Sequence, residues 1–237
     1  MSIDKYQNLL PSSREGSCWD SPHQVEALSS LIDSSSISFG LEIGFNAGHS
    51  ADLFLSQNKN LKLISFDLGE HDYVSNGKYY IDNTYPFRHR LILGDSRVTI
   101  PNFIKDNPGL KIDFFFIDGD HTKEGAMADI NNCMPLATER SLVVLDDTRT
   151  KGDCTGAVPS WAKGPNDAWN ECVRQGIIKE TGSVDFPQPN GLADDVRIWS
   201  VKTKEIKDEE GKSRQVHTLN IPTSAYKGHS WGRYILS

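Results

Sequence analysis

Five short apolar runs, each carrying a carboxylate at or near its end, constrain this chain more than any other feature. They are FGLEIG (39–44), LKLISFDL (61–68), HRLILGD (89–95), KIDFFFIDG (111–119) and SLVVLDD (141–147). Runs of near-continuous apolar residues suit strands covered on both faces, because a strand with one wet face alternates apolar and polar residues. The stretches between them carry helical spacing. SRVTIPNFIKD reads as a helix interrupted at Pro101, TKEGAMADINNCMPLA as a second, and another should begin near Gly48 or His49. Alternating strands and helices predict an α/β fold: a doubly wound, mainly parallel sheet with right-handed crossovers and helices on both faces.

The flanks are less regular. In SPHQVEALSSLI, Val25, Leu28, Leu31 and Ile32 recur at helical spacing behind Ser21 as N-cap and Pro22 at the first helical position. DAWNECVRQGI (167–177) reads as a helix and DVRIWSVKT (195–203) as a strand. TKEIKDEEGKSRQ (203–215) is expected to be a solvated hairpin tip, with VHTLNIP as its return strand, so the sheet should end in an antiparallel strand or hairpin. Two segments, 69–89 and 148–166, read as irregular loops rich in Tyr, Phe, Trp, Gly and Pro. With no repeat and no linker, one domain is expected over 1–237: an extension (1–20), a core (21–177) and C-terminal strands with a tail (178–237).

Charge narrows the partners. The formal charge is −7 with no Lys/Arg block, which argues against nucleic acid. No apolar run approaches the roughly 20 residues needed to cross a bilayer, and the N-terminus has no signal-peptide pattern, so neither membrane nor secretion is expected. Cys18, Cys133, Cys154 and Cys172 show no metal-ligand spacing and read as reduced thiols of a cytoplasmic protein.

The acids are the unusual part: 21 Asp stand against 11 Glu. In a doubly wound sheet the strand ends converge on one crevice. Glu42, Asp67, Asp95, Asp118, Asp146 and Asp147 would then share a cleft, where carboxylates repel unless hydroxyls, amides or a cation compensate. Gly44 and Gly48 frame a G-x-x-x-G turn after the first run, with Asn46 where a dinucleotide-binding turn has its second glycine. Asp67, ending the second run, is placed to accept both hydroxyls of a ribose. A ligand with ribose but no pyrophosphate fits this pattern.

Glu42-x-Gly44-x-x-x-Gly48, Asp67 and Gly94-Asp95-Ser96 resemble the S-adenosylmethionine-dependent methyltransferases of the Rossmann-like class. The resemblance implies that Gly44, Phe45, Asn46, Gly48 and Ser50 pass under the methionine part, with Glu42 beneath that loop or near the amine. It places Asp67 and Leu68 at the ribose, and Asp95 with Ser96 by the adenine. FFFIDGDH (114–121) and LVVLDD (142–147) are similar to the metal-dependent O-methyltransferases, a group spanning catechol, caffeoyl-coenzyme A and antibiotic-sugar enzymes. Their Mg²⁺ (or another divalent cation such as Mn²⁺) would fall to Asp118, Asp146 and Asp147, the first two 28 residues apart as in that group. Asp118 would also border the cofactor. His121 is the first choice for the base and Asp120 the second.

Asp147 stands where catechol and caffeoyl enzymes often have Asn, which moves the expectation toward a hydroxyl on a sugar, glycan or natural product. A catechol acceptor is the alternative within the group, and the resemblance leaves room for a homodimer. Two rivals lie outside it. Asp118-x-Asp120-x-Thr122 with Asp146-Asp147 also fits a haloacid-dehalogenase-type Mg²⁺ phosphohydrolase, which would leave Glu42, Gly44, Gly48 and Asp67 without a task. A cofactor-binding protein without turnover is the other.

Overall fold

The computed structural model describes residues 16–20, 22–33, 36–148, 160–187 and 193–201. Seven strands form one sheet: β1 (Phe39–Ile43), β2 (Lys62–Asp67), β3 (His89–Leu93), β4 (Phe114–Ile117), β5 (Leu142–Thr148), β6 (Ile178–Pro187) and β7 (Ala193–Val201). Their order is β3-β2-β1-β4-β5-β7-β6. The first five are parallel, β7 runs antiparallel to β5, and β6 antiparallel to β7. The helices are α1 (Pro22–Ile32), α2 (His49–Gln57), α3 (Tyr73–Thr84), α4 (Ser96–Asp106), α5 (Lys123–Cys133) and α6 (Ser160–Arg174). This is the expected doubly wound architecture with an antiparallel C-terminal hairpin.

Both faces of the sheet are covered, as the apolar runs require. Leu28 and Ile32 of α1, Phe54 of α2 and Ile81 of α3 pack on Leu63, Phe114, Phe116 and Val144. Phe103 of α4, Ile130 of α5 and Trp169 of α6 pack on Leu41, Phe115, Ile117 and Val143 on the opposite side. Consecutive residues of β4 therefore feed alternate cores, as the two-residue period of a strand demands. Phe54 meets Phe114 and Phe116 edge-on, with ring centroids 4.9 and 5.2 Å apart.

The segments read as irregular are partly helical. Within 69–89, Tyr73, Val74, Gly77, Tyr80 and Ile81 are buried in α3. Their helical spacing is obscured because Asn, Gly and Tyr, weak helix formers, fill the rest of the segment. Within 148–166, α6 starts at Ser160 rather than near 167 and runs through Gly164 and Pro165. Ala162, Ala168, Trp169 and Cys172 are buried along one face, so packing overrides the Gly-Pro pair. Likewise α4 continues through Pro101 instead of breaking there, with Ile100 and Phe103 buried against the sheet. The partner of β7 is β6, a strand not foreseen over 178–187. Ser21, Cys154 and the hairpin expected at 203–215 with its return strand lie outside the described residues.

Phe54→Ala is expected to cost about 3–5 kcal/mol, since both flanking rings lose their packing partner. A shift in the urea midpoint at unchanged slope would measure it.

Candidate active site

The winding direction reverses between β1 and β4, and the crevice beyond their C-terminal ends is where such sheets bind ligands. A cleft of about 730 Å³ opens there, lined by Gly44, Asp67, Asp95, Asp118, Asp146 and Asp147 among others. Every strand-end acid named from the sequence except the buried Glu42 borders it.

Its first wall is the turn after β1. Gly44 has φ +93°, and a Cβ there would lie 1.9 Å from the carbonyl oxygen of Asp118, so only glycine lets the two strand ends approach. Asn46 is left-handed too (φ +50°). Its N–H donates to Asp67 Oδ2 at 2.8 Å, and the Gly69 N–H donates to Oδ1 at 2.7 Å. Asp67 thus clamps the turn, and each oxygen retains a lone pair for a further donor. Leu68, beside it, is 59% exposed at the cleft. The Phe45 ring is buried and stacks on His89 with centroids 5.1 Å apart, so this residue meets the cleft by its backbone side.

A buried polar chain lies beneath the turn. Glu42 accepts from the hydroxyls of Ser50 and Ser65, the latter at 2.6 Å, and Ser65 Oγ is 2.9 Å from His89 Nε2. Burial pushes the Glu42 carboxyl up to about 7 and holds His89 down to about 3. Neither Ser65 nor His89 stands out in the sequence, since both sit inside apolar strands.

At the next strand end, Asp95 caps α4 by accepting from the Arg97 N–H at 2.9 Å and pairs with the Arg97 side chain at 2.7 Å on the surface. Ser96 Oγ donates to Asp129 Oδ1 at 2.6 Å. Asp129, buried on α5 and pushed up to about 6 by that burial, was not singled out from the sequence. Its position on a helix hid it among ordinary surface acids.

The opposite wall is acidic. His121 Nε2 lies 3.5 Å from Asp118 Oδ1 and 3.2 Å from Asp147 Oδ2. These three ligand-type atoms fall within 4.8 Å of one another, a spacing that suits one cation. Asp147 reaches this place from a left-handed backbone (φ +55°), which Asp tolerates better than most residues. Asp146 points elsewhere: Oδ2 accepts from Gln24 Nε2 at 2.8 Å and Oδ1 from the Asp147 N–H at 2.9 Å. Asp120 folds back onto the start of α5, accepting from the Thr122 N–H at 2.8 Å. A Cβ on Gly125 would stand 2.1 Å from its Cγ, so that glycine makes the room. Of the two base candidates, His121 is therefore the one held against the acids. Gly164 of α6 seats the His121 loop, because a Cβ there would lie 2.0 Å from the His121 carbonyl oxygen.

Residues 41–148 match a family described as a methyltransferase domain. No curated protein sequence matches the chain. Among solved structures, an O-methyltransferase from Bacillus cereus in complex with SAH is 16% identical, with a TM-score of 0.64 over 84% of this chain and 87% of that one. The O-methyltransferase TomG from Streptomyces achromogenes, involved in tomaymycin synthesis and in complex with SAM, is 15% identical, with a TM-score of 0.60 over 84% and 87%. CalS11, a TDP-rhamnose 3′-O-methyltransferase of calicheamicin biosynthesis, is 17% identical, with a TM-score of 0.54 over 83% and 86%. Residues 41–148 thus match a methyltransferase domain, and the fold is that of these O-methyltransferase structures. The D-x-D-x-T reading of Asp118–Thr122 gives way, since the methyltransferase match runs through that segment. No helix among the described residues is long and apolar enough to cross a membrane.

Glu42 makes stability pH-dependent. Below about pH 4.5 its carboxyl is protonated in both folded and unfolded chains. As pH rises to about 7 the unfolded chain ionises first, so stability falls through that window by ~3 kcal/mol and then levels off. His89 acts in the opposite direction between about pH 3 and 6.5. Comparing wild type with Glu42→Gln isolates the first effect: the difference in unfolding free energy should change between pH 4.5 and 7 and be flat above.

Proposed function

We propose that the protein transfers the methyl group of S-adenosylmethionine to a hydroxyl oxygen of a small acceptor with the help of a divalent cation, Mg²⁺ or Mn²⁺. The observation that carries this reading is one cleft with two unlike walls. The Gly44–Gly48 turn clamped by Asp67 forms one, and Asp118, His121 and Asp147 form the other.

On the cofactor wall, Asp67 has lone pairs left for the ribose hydroxyls while Asn46 and Gly69 hold its orientation. Ser96, fixed by Asp129, and Asp95 border the place for the adenine, with Leu68 beside the ribose. On the other wall, Asp118 and Asp147 would hold the cation through oxygen ligands, which hard divalent ions favour, whereas Asp146, expected from the sequence as a third ligand, is turned toward Gln24. When bound, the cation lowers the proton affinity of a hydroxyl and fixes its position. The chain supplies the rest. His121 Nε2, 3.5 Å from Asp118 and 3.2 Å from Asp147, receives the hydroxyl proton. The acceptor oxygen forms a bond to the methyl carbon as the carbon–sulfur bond breaks. Its electron pair stays on sulfur, leaving neutral S-adenosylhomocysteine.

An acceptor hydroxyl on a sugar, glycan or natural product is favoured over a catechol. Asp147 supports this, as do the fold-level likenesses to enzymes of rhamnose and tomaymycin chemistry. A panel of glycosides and catechols with labelled S-adenosylmethionine tests it; transfer to catechols alone would overturn the acceptor class.

Removal of divalent cations by chelator should abolish transfer, and Mg²⁺ or Mn²⁺ should restore it; full activity in excess chelator would sink the cation's role. His121→Ala should lower turnover by about 10²–10⁴ with cation affinity kept. Loss of cation affinity instead would make His121 a ligand. Asp67→Ala should weaken cofactor binding by about tenfold or more, measured by calorimetry with S-adenosylhomocysteine.

A further inference from the structure

Asp129 projects from α5 beneath the lining of the cleft and is 1% exposed. Its Oδ1 accepts the Ser96 hydroxyl at 2.6 Å, a bond that joins the first residue of α4 to the middle of α5. Oδ2 is buried against the Gly119 backbone, where a Cβ would stand 2.9 Å away, so glycine at 119 leaves room for this carboxylate. Ser96, Gly119 and Asp120 all line the cleft, which puts Asp129 directly behind its wall.

The surroundings of Asp129 fix the direction of its bond to Ser96. Burial raises the Asp129 carboxyl to about 6, and Asp120 and Asp95 add to the rise, while the Ser96 hydroxyl and the Asp120 N–H favour the charge. It is therefore ionised near pH 8, and an ionised carboxylate only accepts. The Ser96 proton is committed to Asp129, so the Ser96 oxygen keeps lone pairs but no proton for the cleft. Asp95, the acceptor expected at this strand end, is engaged elsewhere. Its two oxygens take the Arg97 N–H and the Arg97 guanidinium in a bidentate pair.

We propose that Asp129 is a positioning residue that sets the hydrogen-bond polarity of Ser96, making the serine oxygen an acceptor that selects a 6-aminopurine cofactor over a 6-oxopurine one. This rests on the preceding reading that the adenine of S-adenosylmethionine lies at the Asp95–Ser96 strand end. The 6-amino group of adenine is a donor, which an acceptor-only oxygen satisfies. The 6-oxo group of hypoxanthine would meet the same oxygen lone pair to lone pair. Leaving a polar group opposed in this way typically lowers affinity about 10–100-fold.

Calorimetry at pH 8 with S-adenosylhomocysteine and with S-inosylhomocysteine, its deaminated analogue, tests this without turnover. The wild type should prefer the adenine compound by about tenfold or more, and Asp129→Asn should remove about tenfold of that preference. The Asp120 N–H draws the Asn oxygen to its own side, so the Asn NH₂ donates to Ser96 and frees the hydroxyl proton for a 6-oxo group. Ser96→Ala should lower the preference likewise, and adding Asp129→Asn to it should change the preference no further. Hypoxanthine also carries a proton at N1, so only the share lost in these variants belongs to the hydroxyl. Equal wild-type affinity for the two compounds would overturn the inference while leaving the cofactor reading standing. An Asp129→Asn chain that loses affinity for both compounds by the same factor would also overturn it, since a merely structural acid does that. Ser96→Ala decides the matter if Asp129→Asn does not fold: a preference kept in that variant sinks the proposal. A preference lost in Asp95→Asn and kept in Asp129→Asn would assign the amino group to Asp95 instead. A wild-type chain that binds neither compound would overturn the cofactor reading itself, and this inference with it.

Discussion

The site depends on the contact between the ends of β1 and β4. Gly44 and the Asp118 carbonyl approach so closely that a single added carbon would stand 1.9 Å from the oxygen. That approach joins the turn that would cradle the cofactor to the acid that begins the opposite wall. It is possible because β1 and β4 are hydrogen-bonded neighbours in the sheet while 70 residues of chain, carrying β2 and β3, loop out to the other side. A doubly wound sheet places its reversal here, so the two walls face each other by topology rather than by loop choice.

Around that contact the chain keeps its carboxylates apart by giving each its own donors. Asp67 is clamped by the Asn46 and Gly69 amides, Asp95 by Arg97, Asp120 by the Thr122 amide, and Asp146 by Gln24 and its neighbour's amide. Glu42 lies deepest and accepts from two serine hydroxyls, and burial lifts its carboxyl to about 7. Asp118 and Asp147 are the pair that converges on a third group, His121. The acidic excess thus serves two ends. Most of these acids organise the loops, and a few, Asp118 and Asp147 among them, face the cleft.

Much of this is legible in the sequence. Strands β1 to β5 stand out because each must be apolar on both faces, and their terminal acids mark the crevice. Helices α3 and α6 were obscured because Gly77, Gly164 and Pro165 interrupt patterns that packing then enforces. Gln24, Ser65, His89 and Asp129 went unnoticed for a different reason. Each is an unremarkable residue in its own segment and acquires a role through a partner 23 or more positions away.

The sequence by itself determined the fold class, the glycine turn and the row of strand-end carboxylates, since strand period, backbone freedom and charge are local properties. Only the tertiary structure decided which acids face one another. It turned Asp146 toward α1, folded Asp120 onto α5 and brought His121 between Asp118 and Asp147. Those choices follow from how helices seat on the sheet, through contacts such as Gly164 against the His121 carbonyl, and no single segment encodes them.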